Sequence, residues 1–519
     1  MTFPILALLS PLAVLAAALY ATTSPGRRPG NLPRVAEVSA LAALGFAAMG
    51  LVQLLVAGPG RMAIADGALA IRLDAVSATM TLLVAFVGWV VVRYSRTYLD
   101  GEAREGAFHG WILAALGAVL VLVQAGNMAV LIAAFVAVGV AMRQLLLFYP
   151  ERPEARRAAA KFTLVWGAGD AALIGAALLF AASFGTTDLA ALNAAAAAEG
   201  LTPLATTGVA LLVITAALKT AAFPLHGWLT EVMEAPTPVS ALLHAGIINS
   251  GGVLLIVTAG LIQASAGAMA ALVMIGGFTA VFGAVVMLTQ SVVKTALAWS
   301  TVAQMGFMLL QCGLGLWPLA LLHIVAHSLY KAHAFLASGG AVAAVFQIRK
   351  PGPIAVPDVK AVMRSFGLAF VIYAGVALAF TWLAGPKSAQ ALALGAILIL
   401  GVAYLVAQGL ADKAPRALTL LTLRASLVAA VTYFAFHTAA RLVWGPSLPE
   451  PPVPGPLEWA LIMLALASFG LVAFAQALFP LWAHHPAMAG LRVHIANGLY
   501  LNALLDRAIG GLKASRTPN

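Results

Sequence analysis

The stretch KTAAFPLHGWLTEVMEAPTPVSALLHAGIINSGG, Lys219 to Gly252, gathers titratable groups inside an otherwise apolar sequence. Lys219 closes the run ATTGVALLVITAALK, and Pro224 follows five residues later. A lysine at the centre of a membrane helix costs about 2.5–3.5 kcal/mol on insertion scales, so one this deep needs a partner or a hydrated interior. Pro224 removes a backbone donor, and the spacing predicts a helix break between Ala221 and Pro224. Irregular backbone at that depth survives only inside protein or beside water. Lys219 is therefore a candidate proton carrier; the alternative is a structural lysine paired with one carboxylate. Asp170, in WGAGDAALIGA, is the one carboxylate well inside an apolar run, and Lys219 on the next run is its natural partner. Local hydroxyl or backbone donors are the other way to satisfy it. Glu37 and Asp74 fall at the edges of runs.

Glu231 and Glu234 follow the expected break and either line a vestibule below Lys219 or stand in an exposed loop. His244 lies among small residues that let helices approach closely. It is either a proton relay near neutral pH or a hydrogen-bonded core histidine. LLHIVAHSLYKAHAF places His323, His327 and Lys331 four residues apart, on one helical face, with His333 off that face. That register fits one lane of a proton wire. Two histidines at this spacing also suit zinc, but the lysine would repel the metal and no carboxylate or cysteine is near. Lys294, in QSVVKTALAWSTVAQMGF, could feed such a chain or simply anchor a helix end. His437 and Arg441, again four apart, read as an outer exit or an interfacial anchor.

These residues need long apolar elements to position them. The 519-residue chain is 62% hydrophobic and 9% charged, against about 25% charged in soluble domains. Apolar runs fall at 3–21, 35–57, 73–92, 108–125, 127–148, 161–184, 204–223, 238–261, 267–288, 295–313, 317–346, 365–384, 389–411, 421–443 and 457–480. The expectation is an all-α polytopic membrane protein with about 14–15 transmembrane helices and broken helices. The short alternating strands of a membrane barrel do not show. With the amino terminus outside, 23 of the 29 basic residues fall on inner segments and 4 on outer ones; the remaining two are Lys219 and Lys331. This asymmetry follows the positive-inside rule, so the net charge of +11 reads as topology rather than as nucleic-acid affinity. The amino-terminal run lacks a basic leader and reads as an uncleaved first span. Cys312 is the single cysteine, which excludes an intramolecular disulfide and a cysteine-cluster metal site. Phosphate-loop, dinucleotide and nucleophile–base patterns are missing, so transport rather than enzyme chemistry is expected. GPSLPEPPVPGPLEW, 445–459, is a proline-rich connector. The tail after Pro480 is too polar to span; it is expected on the inner surface or docked to a partner.

Lys219 to Gly252, with VVKTALAWSTVAQMGFM and HIVAHSLYKAHAFLASG, resembles the antiporter-like subunits of respiratory complex I and Mrp-type cation/proton antiporters, from about Ile71 to Gly340. The resemblance implies two inverted five-helix repeats, each with a broken helix. It divides the chain into amino-terminal helices (1–107), a first bundle (108–261), a divergent second bundle (262–411), carboxy-terminal helices (412–480) and an amphipathic cytoplasmic tail (481–519). It implies a proton pathway in which Lys219 is the broken-helix lysine, His244 the next-helix histidine and Lys331 the central lysine. His323 and His327 accompany them, Asp170 matches the aspartate of a GD pair, and Lys161 a basic residue at that helix's start. There are departures. The family usually carries a glutamate in a pattern like WEGVG; here FVAVG puts Val136 in that place and shifts the burden to Asp170. The second broken helix should hold a deep basic residue, yet SFGLAFVIYAGVALAFTWLAG has none, with Lys387 just beyond. The chain also stops soon after the last run, without the long lateral helix of a terminal complex I subunit. These departures, with RQLLLFYPERPEARRAAAKF and HPAMAGLRVHIANGLYLNALLDR, resemble the membrane subunits of DAB-type inorganic carbon accumulation systems. That likeness implies a large zinc-binding, DabA-like partner similar to a β-carbonic anhydrase, with the zinc in the partner and no cofactor in this chain. It implies a bacterial inner membrane, the amino terminus outside and the carboxy terminus cytoplasmic. The alternatives are an ion-translocating subunit of complex I or an Mrp antiporter, and a non-conducting scaffold.

Overall fold

A computed structural model describes residues 4–64, 67, 69–340, 358–409, 416–482 and 485–508. The expected inner-side residues Arg349, Lys350, Lys413, Lys513 and Arg516 lie outside this set. Each of the fifteen apolar runs contains helix. In order these are α1 (Ile5–Ala21), α2 (Leu32–Ala57), α3 (Ala75–Tyr98), α4 (Glu105–Gln124), α5 (Met128–Leu146), α6 (Pro153–Phe184), a short α7 (Leu189–Glu199) and α8 (Pro203–Lys219). After the break come α9 (Gly227–Thr230), α10 (Thr237–Ala245), α11 (Ser250–Val257), α12 (Ala259–Gln263), α13 (Ala266–Met287), α14 (Val293–Gly313) and α15 (Trp317–Ala337). The helices Val359–Ala384, Ala389–Gly409, Arg416–Trp444 and Pro456–Ala477 follow, and Leu501–Ala508 is the last helix among the described residues. Among the described residues, eleven helices are long and apolar enough to cross a membrane. Ile5–Ala21 and Pro203–Lys219 are apolar but shorter, and α14 is diluted by Trp, Ser, Thr and Gln.

The sequence marks many helix starts. Asn127, Thr202, Ser265 and Asp358 each accept a backbone N–H with the side chain, which supplies one of the donors a helix start leaves open. Asp74 and Ser77 form a reciprocal box at the start of α3. In the segment before it, β1 (Gly60–Ile64) and β2 (Leu69–Leu73) pair antiparallel as a small hairpin, the one strand pair among the described residues.

Loop contacts sort the molecule into two faces. On one, Arg27 reaches the Gly101 carbonyl, Arg104 donates to the Leu147 carbonyl at 2.7 Å, and Gln290 donates to the Ala496 carbonyl at 3.2 Å. On the other, Arg61 pairs with Asp188, Gln263 donates to the Glu450 carbonyl at 2.7 Å, and Gln390 to the Pro452 carbonyl at 2.6 Å. The first is the basic face. The α10–α11 span is the axis of the fold: 94% of its apolar window is buried. Beside it, α13 and α14 approach through glycines. A Cβ on Gly306 would stand 2.4 Å from the Ala280 nitrogen, and one on Gly276 2.4 Å from the Leu310 nitrogen. Only hydrogen fits there. Val359–Ala384 runs unbroken and has no basic residue beyond Arg364, so it lacks the interruption that the family resemblance implies.

Candidate functional site

α8 ends at Lys219, and Ala221 takes the left-handed backbone at φ +52°, so the chain turns where the sequence predicts a break. The Lys219 side chain is fully enclosed. Its ammonium donates to Asp170 Oδ1 at 2.6 Å and to the Trp166 carbonyl at 2.9 Å, both on α6. It also sits 3.8 Å from the Trp166 ring centroid and 5.0 Å from that of Phe135. The lysine stem lies flat over Gly169, where a Cβ would be 2.9 Å from Lys219 Cε; the glycine before Asp170 makes room for the pair. A buried pair of this kind tolerates no loss of one member, because the other charge is then stranded. On α5, Phe135 faces the lysine. Val136 is 42% exposed, so the α5 side chain against Lys219 is Phe135 and the pairing falls to Asp170.

Toward the basic face, Phe162, Trp166 and Trp228 close into a ring layer, with centroids 5.2 Å, 5.5 Å and 6.2 Å apart. Beyond it lies Lys161, nine residues and roughly 13 Å from Asp170 along α6. Lys161 is also fully enclosed. Its ammonium meets Glu231 Oε1 at 2.6 Å, Asp506 Oδ1 at 2.6 Å and Asn502 Oδ1 at 2.7 Å. Asn502 Nδ2 donates to Glu231 as well. Glu231 therefore serves Lys161 rather than lining an open vestibule. Glu234 pairs with Arg152 at 3.2 Å, with both side chains more than two-fifths exposed. The tail, expected on the membrane surface or on a partner, is docked on its own chain. Asn502 and Asp506 went unnoticed in the sequence, although their spacing of four puts them on one helical face.

The second group surrounds the axis helix. His244 Nδ1 and Thr301 Oγ1 are 3.1 Å apart, and the imidazole stacks on Phe335 at 4.3 Å. α10 stops one residue later, and a single 3-10 turn, Ile247–Asn249, precedes α11. Asn249 Nδ2 spans that break, donating to the Ala245 carbonyl at 3.0 Å and to Ser328 Oγ at 2.9 Å. Lys331 is enclosed and donates to the Leu297 carbonyl at 3.0 Å. Among the described residues no carboxylate is within ion-pair distance of it. His323 Nδ1 meets Gln311 Oε1 at 2.9 Å, and its ring lies 6.0 Å from that of His327. Both His327 nitrogens, His244 Nε2, His323 Nε2 and Ser250 Oγ have no protein partner among the described residues. Buried polar atoms are ordinarily bonded, so this string calls for bridging water. A groove of about 700 Å³, lined by Gln304, His323, His327 and Tyr433 among apolar residues, opens onto it. Lys294 stands at the basic end of α14 and donates to Thr237 Oγ1 at 3.1 Å. His333 is exposed, off the shared face. On the opposite face Arg441 pairs with Glu450 at 3.0 Å.

Comparison with known proteins places these residues. The model of the NADH:quinone oxidoreductase/Mrp antiporter transmembrane family matches residues 125–376, and that of the complex I chain 5 amino terminus matches 65–109. Lys161 through Lys331 lie inside the first match; Asn502 and Asp506 lie outside both. The chain is 35% identical over 482 residues to the probable inorganic carbon transporter subunit DabB2 of Halothiobacillus neapolitanus, covering 90% of this chain and 87% of that one. It is 32% identical over 424 residues to NADH-quinone oxidoreductase subunit L of Mycobacterium tuberculosis, covering 79% of this chain and 64% of the relative. A chain of the Mrp complex from Dietzia sp. shares the fold, with a TM-score of 0.63 at 24% identity over 98% of this chain and 60% of that one.

Proposed function

Because the chain belongs to the NADH:quinone oxidoreductase/Mrp antiporter transmembrane family, we propose that it conducts protons as the membrane subunit of a two-component inorganic carbon accumulation complex. The observation that carries this reading is the Lys219–Asp170 pair, 2.6 Å apart and enclosed at a helix break. The break places Lys219 at a helix end inside the protein, where irregular backbone at this depth is tolerated, and such a position suits a charge that changes partner. Lys219 passes its proton to Asp170, the protonated carboxyl releases it toward one side, and the neutral amine takes up a new proton arriving from the other. Lys161 with Glu231 would serve the basic face. Thr301, His244 and Lys331 continue the path, and the unpartnered nitrogens of His327 and His323 lead it toward the groove through bridging water. Lys294 and Glu234, at the basic surface, would collect protons.

Similarity to a probable inorganic carbon transporter subunit along most of both chains supports the choice of system. The protein would sit in a bacterial cell membrane with the basic face and carboxy terminus cytoplasmic, as the charge distribution favours. A DabA-like partner would hold zinc and hydrate CO₂ to bicarbonate; this chain would supply the inward flow of protons that makes hydration directional. The relation to subunit L favours a second reading, an ion-translocating subunit of complex I or an Mrp-type antiporter. Two measurements separate them. Affinity purification should bring down a large zinc protein under the first reading and small membrane subunits under the second. Proton uptake into vesicles carrying the complex should fall at least about tenfold in Lys219→Ala and in Lys331→Ala. Unchanged uptake in both variants would leave only a non-conducting scaffold.

A further inference from the structure

The Leu501–Ala508 helix supplies two of the three side chains that hold Lys161. Asp506 is 6% exposed and Asn502 bridges both Lys161 and Glu231, so the lysine stands between two carboxylates contributed by distant segments. The seat is built for the tail. A Cβ on Gly227 would fall 2.0 Å from Asn502 Oδ1, so the first residue of α9 is a glycine where Asn502 enters. Gly498, with φ +57°, lets the chain turn against the Trp299 ring, where a Cβ would come within 3.1 Å. Gln290 ties down the preceding turn through the Ala496 carbonyl. Lys161 itself shares α6 with Asp170, and Phe162 and Trp166 of the ring layer stand between them along that helix.

We propose that Asp506 and Asn502 are positioning residues of the conducting site, holding the Lys161 ammonium against Glu231 so that this cluster takes up protons at the basic-face end of the path served by the Lys219–Asp170 pair. The proposal rests on the conducting role proposed above and adds a region outside the matched family segment. Glu231 is a quarter exposed while Asp506 is nearly buried, so the second carboxylate holds the ammonium on the enclosed side, under the ring layer. The carboxylate at 506 sets the geometry of transfer, not the driving force.

The test uses the purified full-length complex in proteoliposomes, with proton uptake followed across a range of pH on the basic side. Asp506→Asn should lower the maximal rate about tenfold, with the partner still bound and the apparent proton affinity on that side weakened. Asp506→Glu should restore at least half of the wild-type rate. Exchanging the charges, Lys161→Asp with Asp506→Lys, should recover more rate than either single variant. Lys219→Met in the same assay shows whether conduction itself is as proposed. If Lys219→Met abolishes uptake while Asp506→Asn matches wild type in rate and pH profile, the positioning role is overturned and the conducting role stands. If Lys219→Met also matches wild type, the conducting role falls, and this proposal with it. Should Asp506→Asn fail to assemble, Asn502→Ala takes its place, and a wild-type rate and profile there overturn the proposal equally.

Discussion

Asp170→Asn keeps the side chain's shape and one acceptor oxygen, but removes the counter-charge 2.6 Å from Lys219. Lys219 has no exposed surface, so its ammonium cannot turn to solvent without moving α8. Breaking a buried pair from one side costs about 3–5 kcal/mol. The Trp166 carbonyl at 2.9 Å and the Trp166 ring at 3.8 Å still face the cation, which puts the loss near the lower end, about 3 kcal/mol. Lys219→Met strands the carboxylate instead. Asp170 keeps 14% side-chain exposure, and that loss should be about 2 kcal/mol. The double variant buries two neutral side chains and should cost only about 1 kcal/mol, a non-additivity of about 4 kcal/mol. Reversible unfolding of the four proteins in mixed micelles, followed by circular dichroism against denaturing detergent, measures each value. All three variants should lose proton uptake, including the double variant whose stability returns. Costs that add to within about 0.5 kcal/mol would show that the two charges do not face each other in the folded protein.

Val136→Glu should not raise proton uptake, because this side chain points to the outer surface while Phe135 faces Lys219; it should lower the yield of inserted protein, at a cost of about 2.5–3.5 kcal/mol. A rate above wild type would refute the assigned rotation of α5. Gly306→Leu should destabilise by at least about 3 kcal/mol, since its Cβ would meet the Ala280 backbone nitrogen at 2.4 Å and the backbone of α13 cannot yield as a side chain can. An unchanged thermal midpoint would show that the two helices do not touch there.

The long apolar runs made the helices legible, because hydrocarbon length is a one-dimensional property and the caps at Asn127, Thr202 and Ser265 are local. Lys219 and Asp170 were legible for a related reason: each is costly alone, and the only economical arrangement brings them together. Helix rotation was not legible. In a run as uniformly apolar as MAVLIAAFVAVGVAM, periodicity does not fix which residue turns inward, and a rotation of one position separates Phe135 from Val136. α7 was missed because LAALNAAAAAE is too short to span; Asn193 sets its place, donating to the Val257 carbonyl at 2.8 Å and accepting from the Leu261 nitrogen at 3.1 Å. The docked tail was invisible for the same physical reason. Its partner Lys161 is more than three hundred residues away in sequence, and nothing local records a contact of that range.

The carboxy-terminal part of the chain is fastened at both faces. Trp444 Nε1 donates to Thr79 Oγ1 at 2.9 Å on one side, and Asn502 with Asp506 grips Lys161 on the other. Between them, Ile462 and Ala465 of Pro456–Ala477 pack with Val273 and Leu310 in one apolar cluster. Two of these attachments cross the proline-rich connector, the Ile462–Ala465 packing and the Asn502–Asp506 grip on Lys161, so peptide continuity there should be dispensable to assembly. Two fragments divided near Pro452 and made together in one cell should find each other in the bilayer and rebuild the intact molecule, so a nick at that exposed loop would leave the assembly whole.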